Sequence, residues 1–344
     1  MQGHLSDGVV EIGANGRERY YDSRGYGRPR GDGVVLSRVE AAHLLYRGDL
    51  GTVDGLDFSS FLGENEEIVV PFVVYTDLRE RGFYLSPARP DWVDRPEGAD
   101  FVVHPRGEGP WDGLVEHRVR VVGERESLHP DTLGDVVLAV VDEESEITYL
   151  ETGVPDPGGS NEPVVAGSFH GDRFDDRILC WDPPSAIYDI EFFGQRLGPT
   201  GEPLQLSLLE AVHLADTGRL SINGGVKALV NRGRALEGAR FDRRLATYRE
   251  LRKRGLVPKT GFKFGADFRT YAAVESVDSL GHSESLVRVL PTDVVLSPRD
   301  LALDVRLAHG VRKQMVYALV ENTASEEADK SAKIRWRSIA RLTP

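Results

Sequence analysis

Three residues of chemically active type stand in the second half of this chain where the first half has none of them. The halves repeat one another. Leu36, Ser37, Glu40, Ala41, His43 and Leu44 recur as Leu206, Ser207, Glu210, Ala211, His213 and Leu214. Tyr75, Leu78, Arg79 and Gly82 recur as Tyr248, Leu251, Arg252 and Gly255, and Ala99-Asp100-Phe101 recurs as Ala266-Asp267-Phe268. Aligned on Ala-Asp-Phe, Tyr271 stands opposite His104; aligned on the Val-Arg-Val strand, His282 stands opposite Leu114; aligned on the apolar strand that follows, Lys313 stands opposite Gly134. A histidine exchanges protons near neutral pH, and a lysine brings positive charge. Taken singly, each has an ordinary role: a strand-end tyrosine packs, a loop histidine is solvated, and a lysine near a helix C-terminus answers the helix dipole. Scaffold residues kept in both copies while all three chemical groups are missing from one mark the three as a set. His43 and His213 occupy equivalent positions in both copies and read as structural.

The elements that position this set follow from the repeat. A period of roughly 170 residues is too long for a solenoid and matches two whole modules. Each module splits again, giving an α/β protein with α+β subdomains in four parts: 1–67 and 161–240 as small α+β domains, 68–160 and 241–344 as α/β domains. The Pro/Gly/Asp-rich stretch Val154 to Asn161 reads as the joint between copies. In the second copy a helix is expected over Leu245 to Arg254, stopping at Gly255. Phe262 to Tyr271 and Leu286 to Leu290 read as extended, with His282 on the loop between them. Ser297-Pro298-Arg299-Asp300 is a helix start, with serine as N-cap, proline at the first position and an acid in the first turn. A helix continuing to Lys313 would put Arg306, His309 and Lys313 on one face, although Gly310 costs about 1 kcal/mol inside it. Met315 to Val320 reads as a buried strand and Ile334 to Ile339 as a second strand near it.

Composition sets the conditions. Net charge is -13, and of 42 basic residues only seven are lysines, none before Lys227. An acidic, lysine-poor surface suits a halophile, remaining hydrated and self-repelling in strong salt. At about 1 M salt the Debye length is only ~3 Å, so binding would rest on close contacts. The single cysteine, Cys180, excludes an intrachain disulfide and a multi-cysteine zinc site and reads as a core residue. The opening Met-Gln-Gly-His-Leu-Ser-Asp has no signal-peptide pattern, and no 18-residue apolar run could span a bilayer. A soluble, cytoplasmic protein is expected, with no membrane partner.

The run from Lys259 to Tyr271 (KTGFKFGADFRTY), the loop histidine His282, and Val305 to Lys313 (VRLAHGVRK) together resemble the archaeal tRNA-intron splicing endonucleases, in order and in spacing. The duplication is similar to the long form of that family, in which an inactive copy precedes an active one and two chains pair. Gly310, where the family usually has serine, and an insertion from Thr323 to Ala332 depart from the pattern. The resemblance implies a restriction-endonuclease-like α/β catalytic domain and a catalytic trio of Tyr271, His282 and Lys313. Tyr271 would take the proton of the attacking 2′-hydroxyl, His282 would protonate the leaving 5′-oxygen, and Lys313 would stabilise the charge between. A free tyrosine titrates near 10, so this role requires either a lowered value or a task limited to positioning.

The resemblance also implies a clamp on a flipped-out base, from Arg306 on one side and a planar side chain on the last strand, here Trp336 with Arg335 and Arg337 as neighbours. Such stacking contributes roughly 1 to 3 kcal/mol per base. The acidic run Asp142, Glu143, Glu144 and Glu146 falls where the family has a loop that docks into a basic pocket of another subunit. Expected partners are precursor tRNA with bulge-helix-bulge junctions and a second copy of the chain, with no cofactor and no metal. A rival is a metal-dependent nuclease of the restriction type using Asp267, whose twin Asp100 argues that it is structural. A non-catalytic RNA-binding subunit is a second rival, disfavoured by the intact trio.

Overall fold

A computed structural model of the chain describes residues 1–164, 167–198, 203–321 and 333–344. These form two compact units: Met1–Gly153 with Val295–Leu303 and Ile339–Pro344, and Val154–Val294 with Asp304–Ser338.

The first unit opens with strands β1 (Gln2–Ser6), β2 (Val9–Ile12), β3 (Arg28–Arg30), β4 (Gly33–Ser37) and β5 (Thr52–Val53), ordered β3-β4-β2-β1-β5. Helices α1 (Arg38–Tyr46), α2 (Phe58–Gly63) and α3 (Val69–Glu80) follow, then strands β6 (Leu85–Pro87), β7 (Phe101–Val103), β8 (His117–Gly123), β9 (Val137–Val141) and β10 (Ile147–Gly153). These last strands lie in sequence order, antiparallel except for the parallel β8/β9 pair.

The second copy repeats the plan. Strands β11 (Phe169–His170), β12 (Asp172–Phe174) and β13 (Arg177–Cys180) precede α4 (Ser185–Asp189), β14 (Gln195–Arg196), β15 (Leu204–Ser207), α5 (Leu208–Asp216) and β16 (Leu220–Ser221). Helices α6 (Gly225–Glu237) and α7 (Ala239–Lys253) lead to β17 (Val257–Thr260), β18 (Phe268–Tyr271), β19 (Ser285–Pro291), α8 (Pro298–Gly310), β20 (Gln314–Val320) and β21 (Ile334–Arg341). Strands β17 to β21 again run in sequence order; β17/β18 and β18/β19 are antiparallel and β19/β20 is parallel, the crossover between them being α8.

The repeated Leu-Ser-x-x-Glu-Ala run is a helix start in both copies. Ser37 and Ser207 cap α1 and α5, and Glu40 and Glu210 reach back to the cap backbone, a reciprocal box contributing about 1 kcal/mol. The same carboxylates accept from Gly27 N at 2.7 Å and Gly194 N at 2.8 Å. Those glycines are left-handed, with φ of 68° and 65°, and a Cβ on either would meet a carbonyl oxygen at 2.2 or 2.4 Å. Only glycine fits there.

In each copy one continuous core runs from the opening strands to the later sheet. In the first, Val10, Leu36 and Leu44 pack through Tyr75 and Leu78 of α3 to Phe101 and Ala139. In the second, Ile178, Leu206 and Leu214 pack through Leu245 and Tyr248 of α7 to Phe268, Val287, Val316 and Ala318.

Two local expectations are corrected. Phe262–Phe264 is a 3-10 turn ending at left-handed Gly265 rather than the start of a strand, so β18 begins only at Phe268. Helix α8 ends at Gly310, and Arg312 has a φ of 56°. Lys313 therefore leaves the face shared by Arg306 and His309 and stands on a turn, its N–H donating to Ala308 O at 2.9 Å.

Candidate active site

Strand register brings the chemical residues to one end of the sheet. Thr270 of β18 pairs with Ser285 of β19, which pairs with Gln314 of β20. One residue outside that row on each strand stand Tyr271, Glu284 and Lys313. Neighbouring strands are about 4.8 Å apart, so the backbones of Tyr271 and Lys313 lie roughly 10 Å apart, two strand spacings. His282 sits two residues before Glu284, on the exposed loop that enters β19. The first copy has the same register: Phe101, Val119 and Val137 form a row equivalent to Phe268, Val287 and Val316. Counting outward from these rows puts His104, Leu114 and Gly134 where the second copy has Tyr271, His282 and Lys313, as the sequence alignment has them.

Lys313 is half-buried and its ammonium donates to the carbonyl of Ser283, the residue after His282. Burial, together with the nearby positive charge of Arg269, holds Lys313 below the ordinary lysine range. Tyr271 is only 4% exposed. Its ring packs on Phe192 edge-on at 5.8 Å and shares an apolar cluster with Val257. Val274, Val277 and Leu280 of the loop between Tyr271 and His282 pack on that cluster. The loop carrying His282 is thus anchored on the base of the tyrosine.

Asn161, read from sequence as part of a joint, is a brace for this strand end. Its amide nitrogen donates to Gly255 O at 2.6 Å and Ala272 O at 3.0 Å, and its oxygen accepts from Val274 N at 2.7 Å. Gly159 packs so tightly that a Cβ would lie 2.3 Å from Gly255 O and 2.6 Å from Ala272 O. A turn-rich composition identifies a loop but not what the loop holds. Lys259, also unread, is buried and donates to Phe192 O, Gly194 O and the Glu210 carboxylate at 3.1, 2.8 and 3.0 Å. Arg269 lies with its guanidinium 5.7 Å from the Tyr271 ring. The comparison between copies would have found it, since Val102 holds its register in the first copy.

Arg306 is exposed on α8. Trp336 corrects the sequence reading: at 5% exposure it belongs to the core with Val316 and Ala318, and the Arg254 guanidinium lies 6.0 Å from its ring. A strand's side chains alternate between faces. Trp336 takes the face beneath α7, so Arg335 and Arg337 take the other. That is the α8 side, because Asp304 of α8 accepts from Arg288 at 2.5 Å and from Tyr317 at 2.8 Å, residues on the face opposite Val316. The planar groups sharing a face with α8 are therefore the two arginines.

The acidic run of the first copy is the tight β9/β10 turn. Asp142 is used locally, its carboxylate accepting from Glu144 N and Glu146 N at 2.9 Å each, while Glu143, Glu144 and Glu146 are exposed and Glu143 pairs with Arg125. The insertion of the second copy, between β20 and β21 in sequence, lies outside the described residues. The second unit has a cavity of about 470 Å³ whose lining includes Arg219, Arg249, Arg252 and Lys253, with Glu191 neutralising Arg219 at 2.5 Å. Asp267, the potential metal ligand, is committed elsewhere: it accepts from Arg240 at 2.6 Å and Val289 N at 2.8 Å, with Arg244 at 3.1 Å. No described helix is long and apolar enough to cross a membrane.

A duplicated α/β protein with an unequal set of chemical groups at one sheet end is the class that these observations define. The family model for the tRNA intron endonuclease N-terminal domain matches residues 1–62 and again 171–231, and that for the tRNA intron endonuclease catalytic C-terminal domain matches 241–329. Proteins called tRNA-splicing endonuclease are similar along their whole lengths. The one from Natronomonas pharaonis is 64% identical over 344 residues, covering 100% of both chains. That from Haloferax volcanii is 52% identical over 350 residues, again with 100% of both covered, and that from Methanosarcina mazei is 36% identical over 356 residues, covering 96% of this chain and 98% of the other. The chain belongs to the tRNA intron endonuclease family, and relatives from halophilic archaea accord with its acidic, lysine-poor composition.

Proposed function

We propose that this chain is a tRNA-splicing endonuclease that excises introns from precursor tRNA at bulge-helix-bulge junctions without a metal ion, working as a homodimer. The observation that carries the reading is the register that sets Tyr271 and Lys313 at the same end of the two strands flanking β19, with His282 on the loop tied to Lys313 through Ser283. In the reaction Tyr271 takes the proton of a ribose 2′-hydroxyl as its oxygen bonds to the adjacent phosphorus. The phosphorus-to-5′-oxygen bond breaks, and His282 gives that oxygen a proton. Lys313 holds the charge gathering on the phosphorane. The products are a 2′,3′-cyclic phosphate and a 5′-hydroxyl. Arg306 and one of Arg335 and Arg337 clamp a splayed base, a contact of shape and stacking suited to RNA and to strong salt.

The test is incubation of purified protein with intron-containing precursor tRNA in excess chelator. Cleavage proceeds undiminished and leaves cyclic phosphate ends. Loss of cleavage that magnesium restores would hand the site to the restriction-type rival, despite the commitment of Asp267 to its arginines.

The inactive copy contributes its turn. Exposed Glu143, Glu144 and Glu146 seat in the arginine-lined cavity of a partner chain's second copy, joining two chains that each bring one active site. Reversing Glu143 and Glu144 to lysine loosens the dimer, and cleavage falls and then recovers at higher protein concentration. Sedimentation alongside cleavage, at low and high salt, reads both. Strong salt weakens exposed ion pairs and leaves buried ones much less affected, so an unchanged dimer in every condition would reduce the run to a solvated turn.

A further inference from the structure

The trio is not the whole of what separates the two copies. Arg269 lies two residues before Tyr271 on β18, on the same face of the strand. Its counterpart by register is Val102, 1% exposed and apolar. The electrostatics of Arg269 are unusual. On the neighbouring strand the residue paired with it is another cation, Lys259, and like charges directly opposite one another are destabilising. Lys259 is accounted for by Glu210 at 3.0 Å and two carbonyl oxygens. For Arg269 no described carboxylate lies within ion-pair distance, and its Nε is buried without a hydrogen-bond partner. A guanidinium left this way costs stability. Its charge reaches Lys313, which it helps to hold below the ordinary lysine range, and its guanidinium is 5.7 Å from the Tyr271 ring. A partly desolvated, unneutralised cation beside Tyr271 and within electrostatic reach of Lys313 is a place prepared for an anion.

We propose that Arg269 is a fourth catalytic residue, whose guanidinium binds a non-bridging oxygen of the scissile phosphate and stabilises the phosphorane together with Lys313. This rests on the trio reading. The division of work follows from donor geometry. Lys313 already donates to the Ser283 carbonyl, so its ammonium offers the phosphate a point charge with one donor committed. Arginine's planar fork meets phosphate oxygens in a fixed direction and keeps its charge at any working pH. Such a contact favours one of the two non-bridging oxygens, which an ammonium on a flexible stem does less well.

The experiment uses the full chain and a precursor tRNA with a phosphorothioate at the cleaved phosphate, prepared as separate Rp and Sp isomers. Arg269→Ala lowers single-turnover cleavage of the all-oxygen substrate by about 100-fold or more, the scale for loss of a transition-state donor. Affinity for a substrate carrying a 2′-deoxy sugar at the cleavage site is unchanged. The wild-type protein discriminates between the isomers and Arg269→Ala loses that discrimination. Arg269→Lys, which keeps the charge and the aliphatic stem, recovers part of the rate without the discrimination, and it carries the test if the alanine variant melts at the assay temperature. A wild-type rate in Arg269→Ala would overturn the assignment, as would a slow rate with wild-type isomer discrimination, since that would make Arg269 only a support for the strand. Lys313→Ala is run in parallel. Its full activity would instead sink the trio reading beneath the proposal.

Discussion

Replacing His282 by alanine lowers the cleavage rate by about 100-fold or more, the usual scale for a lost general acid, and leaves RNA affinity nearly unchanged. The expectation follows from where the residue sits. His282 is exposed at the mouth of β19, on a loop whose apolar residues Val277 and Leu280 grip the cluster around Tyr271. Truncating a solvent-facing side chain there removes the proposed proton donor without opening a cavity. His104 is the control from the other copy, at the register of Tyr271. It is buried, with Nε2 2.9 Å from Ser86 Oγ and Nδ1 2.7 Å from Leu114 O, and burial holds its imidazole below the ordinary histidine range. His104→Ala leaves the chemical step alone and costs about 1 to 3 kcal/mol of stability through the polar groups it orphans. Single-turnover kinetics and thermal melting of both variants separate the two outcomes. Equal rate losses would mean that the two copies share the chemistry.

The duplication explains why so much of the site was legible. Two copies of one scaffold act as an internal comparison, and the alignment of Tyr271 with His104 and of Lys313 with Gly134 is the one that the strand registers give. What the sequence hid are features set by three-dimensional neighbours. The end of α8 turns on the left-handed Arg312, which no propensity marks. Trp336 looked available because it lies in an arginine-rich strand, but the pleat sends it beneath α7 and sends Arg335 and Arg337 the other way. Asn161 and Gly159 form a loop by composition, and only the fold shows the carbonyls they hold. Arg269 is within reach of the same comparison that isolates the trio, since Val102 stands at its register, but it lies inside a family-like run and does not stand out from it.

Lys259→Met destabilises the second unit by about 3 to 5 kcal/mol, the scale for stripping one partner from a buried ion pair. The copies supply the argument. Glu40 and Glu210 occupy the same capping position and accept the same backbone hydrogen bonds, but Lys259 is replaced at its register by Ser86 in the first copy. Burial raises Glu40 above the ordinary carboxylate range, with its hydrogen bonds from Ser37 and Gly27 pulling the other way. Burial acts on Glu210 too, yet the charge of Lys259 and the hydrogen bonds from Ser207 and Gly194 outweigh it and bring Glu210 to about 2. Burial in turn pulls Lys259 below its usual range, against the charge of Glu210.

The sign for pH follows. A depressed carboxylate stabilises the fold fully above its unfolded value of 4.5 and loses that stabilisation as pH falls toward about 2. The wild-type second unit therefore weakens over that window. In Lys259→Met the same carboxylate is left buried and unpaired, as Glu40 is, and mild acid relieves it rather than harming it. Side chains exposed by only 11% and 8% keep the pair largely out of reach of salt screening, so the difference persists in strong salt. Calorimetric unfolding of both proteins at pH 7 and pH 4, each at low and high salt, makes the comparison. A loss below about 1 kcal/mol, the range of exposed pairs, with unchanged pH response, would show that Lys259 contributes no more than a surface ion pair.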